Sequence, residues 1–330
     1  MSILCSISTK DRYDSLLLAV QSVAMQTVRP DKLVIFDDGE CKDLRQDSNW
    51  IHMFKLLDIK KIKWEVRFGN KTGQHHNHQI ANHMGFDFVW RLDDDEIAEP
   101  NVLSGLLKHM KDGVGAVGGA VVMPDPQFQF PEQGQLNKIT GIYGEPNFQW
   151  TIGKKVLEVE HLYSSFLYRG GINDYTMELS PVAHREETMF SHEIYRKGFK
   201  LIVDNSLITW HFRQTKGGIR SHTDGTMYEW DESVFLKKMN NWGYGVISLD
   251  CGLGDHFAFL NILPELKKKY KHIIIGACYP DVFEGIEGIT LATIASMKTA
   301  MPNGKDSVYK WMIDHNWKTN VVDAFRGMYL

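Results

Sequence analysis

The stretch Val89–Leu103, VWRLDDDEIAEPNVL, decides how this chain is read. An apolar run ends in three consecutive aspartates and a glutamate, and a helix-like segment follows. Adjacent like charges repel, so the cluster is either a solvated turn that caps the next helix or a set of carboxylates converging on a cation. Acidic residues ahead of PNVLSGLL suit a helix start. Carboxylates at the end of a buried strand equally suit a hard divalent cation such as Mg²⁺ or Mn²⁺, whose shell a substrate phosphate completes. In an extended strand Asp93 and Asp95 would share one side and Asp94 would take the other. This stretch alone leaves both readings open.

The surrounding sequence alternates short apolar runs with helical patterns. Ser2–Ser8, Lys32–Asp38, Ile62–Phe68, Phe88–Asp94 and Val114–Val122 are predicted strands. Tyr13–Gln26 places Leu16, Leu17, Val20 and Val23 at helical spacing, and HQIANHMGF and NVLSGLLKHM read as two further helices. Near-continuous apolar strands alternating with helices predict an α/β fold, a mostly parallel sheet covered on both faces. In such sheets ligands sit at the carboxyl ends of strands. Ser8 and Thr9, Asp37 and Asp38, and Asp93 to Asp95 all fall there.

Pro124–Gly153 is rich in Pro, Gly, Gln and Asn and reads as a long loop. Val156–Gly170 restores order. Glu186–Gly198 is a predicted helix with a glycine stop, followed by the strand Phe199–Phe212. The basic, glycine-rich segment 213–225, with Lys216, Gly217, Gly218, Arg220 and His222, is either a lid or a solvated loop. From Gly245 a second strand–helix alternation begins, so residues 1–244 are read as one domain and 245–330 as a smaller α/β appendage.

With 43% hydrophobic and 24% charged residues, the composition is that of a soluble globular protein. A net charge of −4 gives no overall electrostatic footprint for nucleic acid. The four cysteines, Cys5, Cys41, Cys251 and Cys278, form no CxxC pair and predict free thiols in a reducing compartment. The first residues lack the pattern of a signal peptide, and no run reaches the length of a membrane span. A cytoplasmic protein is expected.

In order along the chain, STKDRYDSLLLAVQSVAMQT, VIFDDG and RLDDDE resemble the nucleotide-sugar domain of family 2 glycosyltransferases, which have the GT-A fold. That family has a first strand ending in a small or hydroxyl residue, a helix ending in QT, a DDG after the second strand and a D-x-D after the fourth. The resemblance spans about Ser2 to Phe212. It implies a nucleotide diphosphate-sugar donor, a UDP-sugar by default, bound by Ser8 or Thr9, Asp37, Asp38, Asp93 and Asp94. It implies Mn²⁺ or Mg²⁺ held by Asp93 and Asp95, with His211 of TWHF as a further ligand. His78, in GQHHNHQIANHMG, falls where relatives carry a basic residue. Counting back from Gly198 aligns Glu187 with the family's catalytic aspartate and Glu186 with the residue before it. The pair would otherwise read as ordinary acidic residues favouring a helix N-terminus.

These implications predict a metal-dependent, inverting transfer of one sugar to a hydroxyl. The QxxRW motif of processive members is absent, which argues against a polysaccharide synthase. Two other classes stay open: a nucleotidyltransferase on a related sheet, and a binding module without activity. SISTKDRYD lacks the glycines expected of the former. The segment VISLDCGLGDHFAFLNILPELKKKY is similar to the start of heptosyltransferase-like GT-B enzymes, and otherwise reads as a strand–turn–helix with Asp255 as N-cap. It suggests an acceptor-binding or homo-oligomerising appendage. The acceptor itself is open among a glycan precursor, a protein, a small molecule and a modified DNA base, for which the Trp210–Arg220 segment and Lys267–Lys269 are the only hints.

Overall fold

The computed structural model describes residues 1–40, 43–124, 136–139, 148–213, 217–219, 225–292, 294 and 308–330. The chain divides into two compact units, the first Met1–Ile139 with Pro146–Tyr228 and the second Thr140–Glu145 with Glu229–Leu330.

The first unit is built on one large sheet. Its strands are β1 (Ile3–Thr9), β2 (Lys32–Asp37), β3 (Lys63–Phe68), β4 (Phe88–Asp93), β5 (Glu96–Ala98), β6 (Val114–Val122), β7 (Val156–Val159), β8 (Phe166–Arg169) and β9 (Lys200–His211). The order is β3-β2-β1-β4-β8-β6-β9-β5, with β7 also on β9. From β3 to β4 every pairing is parallel. Beyond β4 the sheet is mixed, because β8 runs antiparallel to both β4 and β6. The inner strands β1, β2 and β4 are buried on both faces, which is why they read as nearly continuous apolar runs, while in the edge strand β3 only Val66 is buried. Ile3, Cys5 and Ile7 of β1 join one core layer and Leu4 the opposite one, the two-residue alternation of a strand.

The helices are α1 (Tyr13–Ala24), α2 (Ser48–Ile59), α3 (Gln74–Asn82), α4 (Val102–His109) and α5 (Glu186–Arg196). The sequence reading overlooked α2. Its signal is the buried series Trp50, Phe54 and Leu57 behind Asp47, whose carboxylate accepts from the amide of Asn49 at 3.0 Å.

The physical role of the Gln-Thr pair after α1 is clear in the structure. The Gln26 side chain is buried; its Nε2 donates to the carbonyl of Glu99 at 2.9 Å and its Oε1 accepts from the amide of Leu103 at 3.0 Å. Thr27 donates its amide to Pro100 O at 2.8 Å. The end of α1 thus clamps the segment that follows the aspartates.

The second unit carries a parallel three-stranded sheet of β10 (Tyr244–Leu249), β11 (His272–Ala277) and β12 (Ile289–Ala292). Helix α6 (Gly225–Asn241) spans the division between the units, upstream of Gly245. Helices α7 (Leu253–Leu260), α8 (Leu263–Lys269), α9 (Val308–Asp314) and α10 (Val321–Tyr329) complete it around a core of Ile247, Phe259, Ile275 and Phe325. Gly252, not Asp255, is the N-cap of α7. Asp255 lies one turn in, where its carboxylate accepts from the Gly252 amide at 3.0 Å and from the Tyr309 hydroxyl at 2.7 Å. Cys5, Cys251 and Cys278 are free thiols, and Cys41 lies outside the described residues. Among the described residues no helix is long and apolar enough to cross a membrane.

Candidate active site

The carboxyl ends of β1, β2 and β4 open into a cleft of about 650 Å³. Ser8, Thr9 and Asp38 line one wall. Asn77 of α3 ties that wall together, its amide donating to Ser8 Oγ at 2.8 Å and to Asp38 Oδ2 at 3.1 Å. Asp38 also accepts from the amide of Lys71 at 3.3 Å. Gly69 must be glycine here, since any Cβ would collide with the Asp38 carboxylate. Burial raises the Asp38 carboxyl above its ordinary value, against the pull of Asn77 and Lys71.

The aspartate cluster is neither a helix cap nor an extended strand. Asp94 and Asp95 form the turn between β4 and the short strand β5, and α4 begins only at Val102. The turn breaks the strict alternation expected of an extended segment. Asp94 and Asp95 share one partner, Arg12, whose Nη1 is 3.2 Å from a carboxylate oxygen of each. Asp94 also accepts from the Thr9 hydroxyl at 2.7 Å. Asp93 instead accepts from Ser164 Oγ at 2.8 Å. All three aspartates line the cleft.

Antiparallel pairing of β5 with β9 sets Glu96 opposite His211, and this register brings the histidine to the cluster. His211 Nε2 is 3.3 Å from Asp95 Oδ1. Burial alone would lower the His211 pKa, but the hydrogen bond to Asp95 and the charges of Glu96, Asp95 and Asp93 outweigh it and hold it at about 9. Burial, reinforced by the charge of Asp95, pushes Asp94 up to about 7. Glu96 is lifted likewise by burial and by Asp93. Carboxylates crowded in this way, with Arg12, His211 and Arg91 beside them, raise one another's pKa, an environment in which an added cation would be favourable.

Among the described residues no three His, Cys, Asp or Glu side chains form a ready-made metal site. The Asp95–His211 pair nonetheless fits a partial one. A carboxylate oxygen and an imidazole nitrogen in contact, on the wall of an open cleft, could serve as two ligands once an ion displaces the His211 proton, leaving the other positions to phosphate oxygens and water.

At the start of α5 the two glutamates separate. Glu187 lines the cleft. Glu186 is buried and turned away, its Oε1 2.6 Å from Arg91 Nη2. Burial lifts its carboxyl above the ordinary glutamate range, and Arg91 draws it back.

Two further residues implied by the resemblance stand off the cleft. Asp37 is buried, accepting from the Gly39 amide at 2.8 Å and from the Tyr13 hydroxyl at 3.3 Å, so it shapes the turn that carries Asp38. His78 is fully buried, its Nδ1 3.4 Å from Ser6 Oγ and its ring stacked on Tyr175. Burial holds its pKa well below the ordinary value, so it carries no positive charge toward a phosphate. Among the described residues, Lys10, Arg12, Arg91 and Arg213 line the cleft as cations, together with His211. Arg12 stands in the quoted STKDR motif, and Arg91 is a charge inside an otherwise apolar strand; both signals were present in the sequence. Of the glycine-rich segment, Gly217, Gly218 and Ile219 line the cleft, and the Gly218 amide donates to Lys10 O at 2.7 Å. Lys216, Arg220 and His222 lie outside the described residues.

The fold and this cleft define a GT-A protein, and the comparisons agree. The profile of glycosyl transferase family 2 matches residues 5–199, and the chain belongs to that family. The Glu229–Leu330 part of the second unit lies beyond the matched residues. No curated protein matches the chain. Among solved structures it is similar to GalNAc-T7 with UDP, GalNAc and Mn²⁺, at a TM-score of 0.56 and 14% identity over 96% of this chain and 58% of that one. It is also similar to TarS of S. aureus, at a TM-score of 0.50 and 14% identity over 82% of this chain and 43% of that one. The chain thus spans less than two thirds of either, and at these identities the likeness is one of fold.

Proposed function

We propose that this protein transfers a single sugar, with inversion, from a nucleotide diphosphate-sugar to a hydroxyl acceptor. The observation that carries the reading is one cleft lined by Ser8, Thr9 and Asp38, by the aspartate turn with His211, and by Glu187. Asp38 and Ser8, braced by Asn77, take the nucleoside; UDP is the first nucleotide to test, given the Asp38 carboxylate as an acceptor for a base N–H. Arg12 and Lys10 offer positive charge to the diphosphate. Asp95 and His211, with Asp93 beside them, are the residues that would hold Mn²⁺ or Mg²⁺. When bound, such an ion offsets the charge that develops on the departing diphosphate.

Glu187 accepts the proton of the acceptor hydroxyl as its oxygen bonds to the anomeric carbon. The bond from that carbon to the phosphate oxygen breaks in the same step, and its electron pair leaves with the diphosphate. Attack from the face opposite the leaving group inverts the centre. Gly217, Gly218 and Ile219 line the cleft, and as part of a lid that segment would restrict water. The C-terminal unit, residues 245–330 in this reading, serves acceptor binding or self-association.

The test is a panel of nucleotide diphosphate-sugars, with and without Mn²⁺, scored for released nucleotide and then repeated with glycan, protein, small-molecule and modified-DNA acceptors. Metal-dependent release from one donor, raised by one acceptor class, is expected. Absence of both nucleotide binding and release across the panel would overturn the proposal.

A further inference from the structure

Arg91 is fully buried in β4, yet it lines the floor of the cleft. It stands two residues before Asp93 and therefore on the same face of the strand. Its Nη2 is 2.6 Å from Glu186 Oε1 and 3.7 Å from Asp93 Oδ1, and its guanidinium lies 5.2 Å over the ring of Phe166. Glu186 is held from a second side by Gln74 Nε2 of α3, at 3.1 Å.

Helix α5 has no side-chain cap: the residue before it, Arg185, is left-handed with φ 63° and makes no capping bond. The Arg91–Glu186 contact instead anchors the first residue of that helix through its side chain. Successive helical residues diverge by about 100°. Pinning Glu186 toward Arg91 therefore sets the direction of Glu187, which lines the cleft. A buried ion pair is often no more stable than apolar residues of similar volume, so stability alone does not account for the pair, whereas directed positioning does.

We propose that Arg91 is a positioning residue: its buried ion pair with Glu186 fixes the first turn of α5 and so aims Glu187 at the acceptor hydroxyl. This rests on the reading of Glu187 as the base. The test is a kinetic cycle with the full-length protein, measuring kcat and the donor KM separately. Glu187→Gln should lower kcat at least about 100-fold. Arg91→Met/Glu186→Leu removes both charges together and leaves neither stranded; it should lower kcat at least about tenfold with the donor KM changed less than about twofold. In the Glu187→Gln background the same double change should then have almost no further effect, because its consequence runs through Glu187. Should the double variant fail to fold, Arg91→Lys, which keeps the charge but not the planar fork, enters the same cycle with a smaller kcat loss expected. Losses that multiply across the two backgrounds, or an unchanged kcat when only the pair is altered, would overturn the proposal. Near-normal transfer by Glu187→Gln would instead sink the base assignment, and this inference with it.

Discussion

His211 Nε2 and Asp95 Oδ1 lie 3.3 Å apart, brought together by the pairing of β5 with β9. Neither residue has a sequence neighbour that would reveal the contact. In the proposed metal site this contact supplies two of the ligands, and the first prediction follows from it. Mn²⁺ should bind weakly alone and much more tightly with UDP present. Asp95→Ala should lose that enhancement in a paramagnetic-resonance titration and lower turnover more than about 100-fold, since even outer partners of metal ligands are worth about 10- to 100-fold. Its circular dichroism should match the parent. Undiminished Mn²⁺ binding by the variant would remove Asp95 from the metal site.

Nucleotide binding should depend on Asp38 and on the amide that braces it. Hydrogen bonds to a charged group are worth about 1.5–3 kcal/mol, so Asp38→Ala should weaken UDP binding roughly 10- to 100-fold by calorimetry. Asn77→Ala should act in the same direction with a smaller effect, because it reaches Asp38 and Ser8 and not the cleft itself. An unchanged dissociation constant for both variants would move the nucleoside elsewhere.

The adjacent glutamates should rank in one order. Glu187→Gln should reduce transfer at least about 100-fold with donor affinity near normal. Glu186→Gln leaves a hydrogen-bonding group toward Arg91 and Gln74 and should reduce kcat far less. The reverse ranking would transfer the role of base to Glu186. Product stereochemistry by NMR would show whether the reaction inverts.

Gly218 should resist replacement. Its φ is +75°, and an added Cβ would meet Arg12 Nε at 2.6 Å. Gly218→Ala should therefore strain the backbone by about 1–2 kcal/mol and displace the guanidinium that bridges Asp94 and Asp95. The donor KM should rise severalfold. Gly225→Ala, with no atom within 4 Å of its Cβ, serves as the control and should leave KM as it was. Equal behaviour of the two variants would rule out Gly218 as a support for Arg12.

Acid stability should carry a signature of His161. Burial, with the nearby His192 and Arg185, lowers its pKa from 6.5 to about 3. A depressed value means that the unfolded chain binds the extra proton first. The stabilisation is complete above about pH 6.5 and is lost as pH falls from there toward 3. One such group contributes a slope of up to about 1.4 kcal/mol per pH unit. Urea unfolding of His161→Gln between pH 7 and 4.5 should show a shallower loss of stability than the parent. Parallel curves would mean that His161 titrates normally.

The sequence by itself determined the strand ends and much of what they carry. Apolar strands buried on both faces announce themselves by composition, and the polar residues that terminate them, Ser8, Asp38 and Asp93 to Asp95, mark the cleft because the carboxyl edge is where a parallel sheet opens. The strand ends are local properties, set by periodicity and by the residue at each boundary, whereas Glu187 is singled out over Glu186 only through the family resemblance, by counting back from Gly198.

What only the tertiary structure decided is which charges face one another. His78 and Arg91 are both basic residues near the aspartates in sequence, yet one is a neutral core side chain stacked on Tyr175 and the other an ion pair under the cleft. The Arg12 bridge, the turn that separates Asp93 from Asp94 and Asp95, and the β5–β9 register that delivers His211 depend on contacts between elements far apart in the chain. A side chain's pKa and partners are fixed by burial and by the few ångströms to its nearest charge, and those distances exist only once the sheet has assembled.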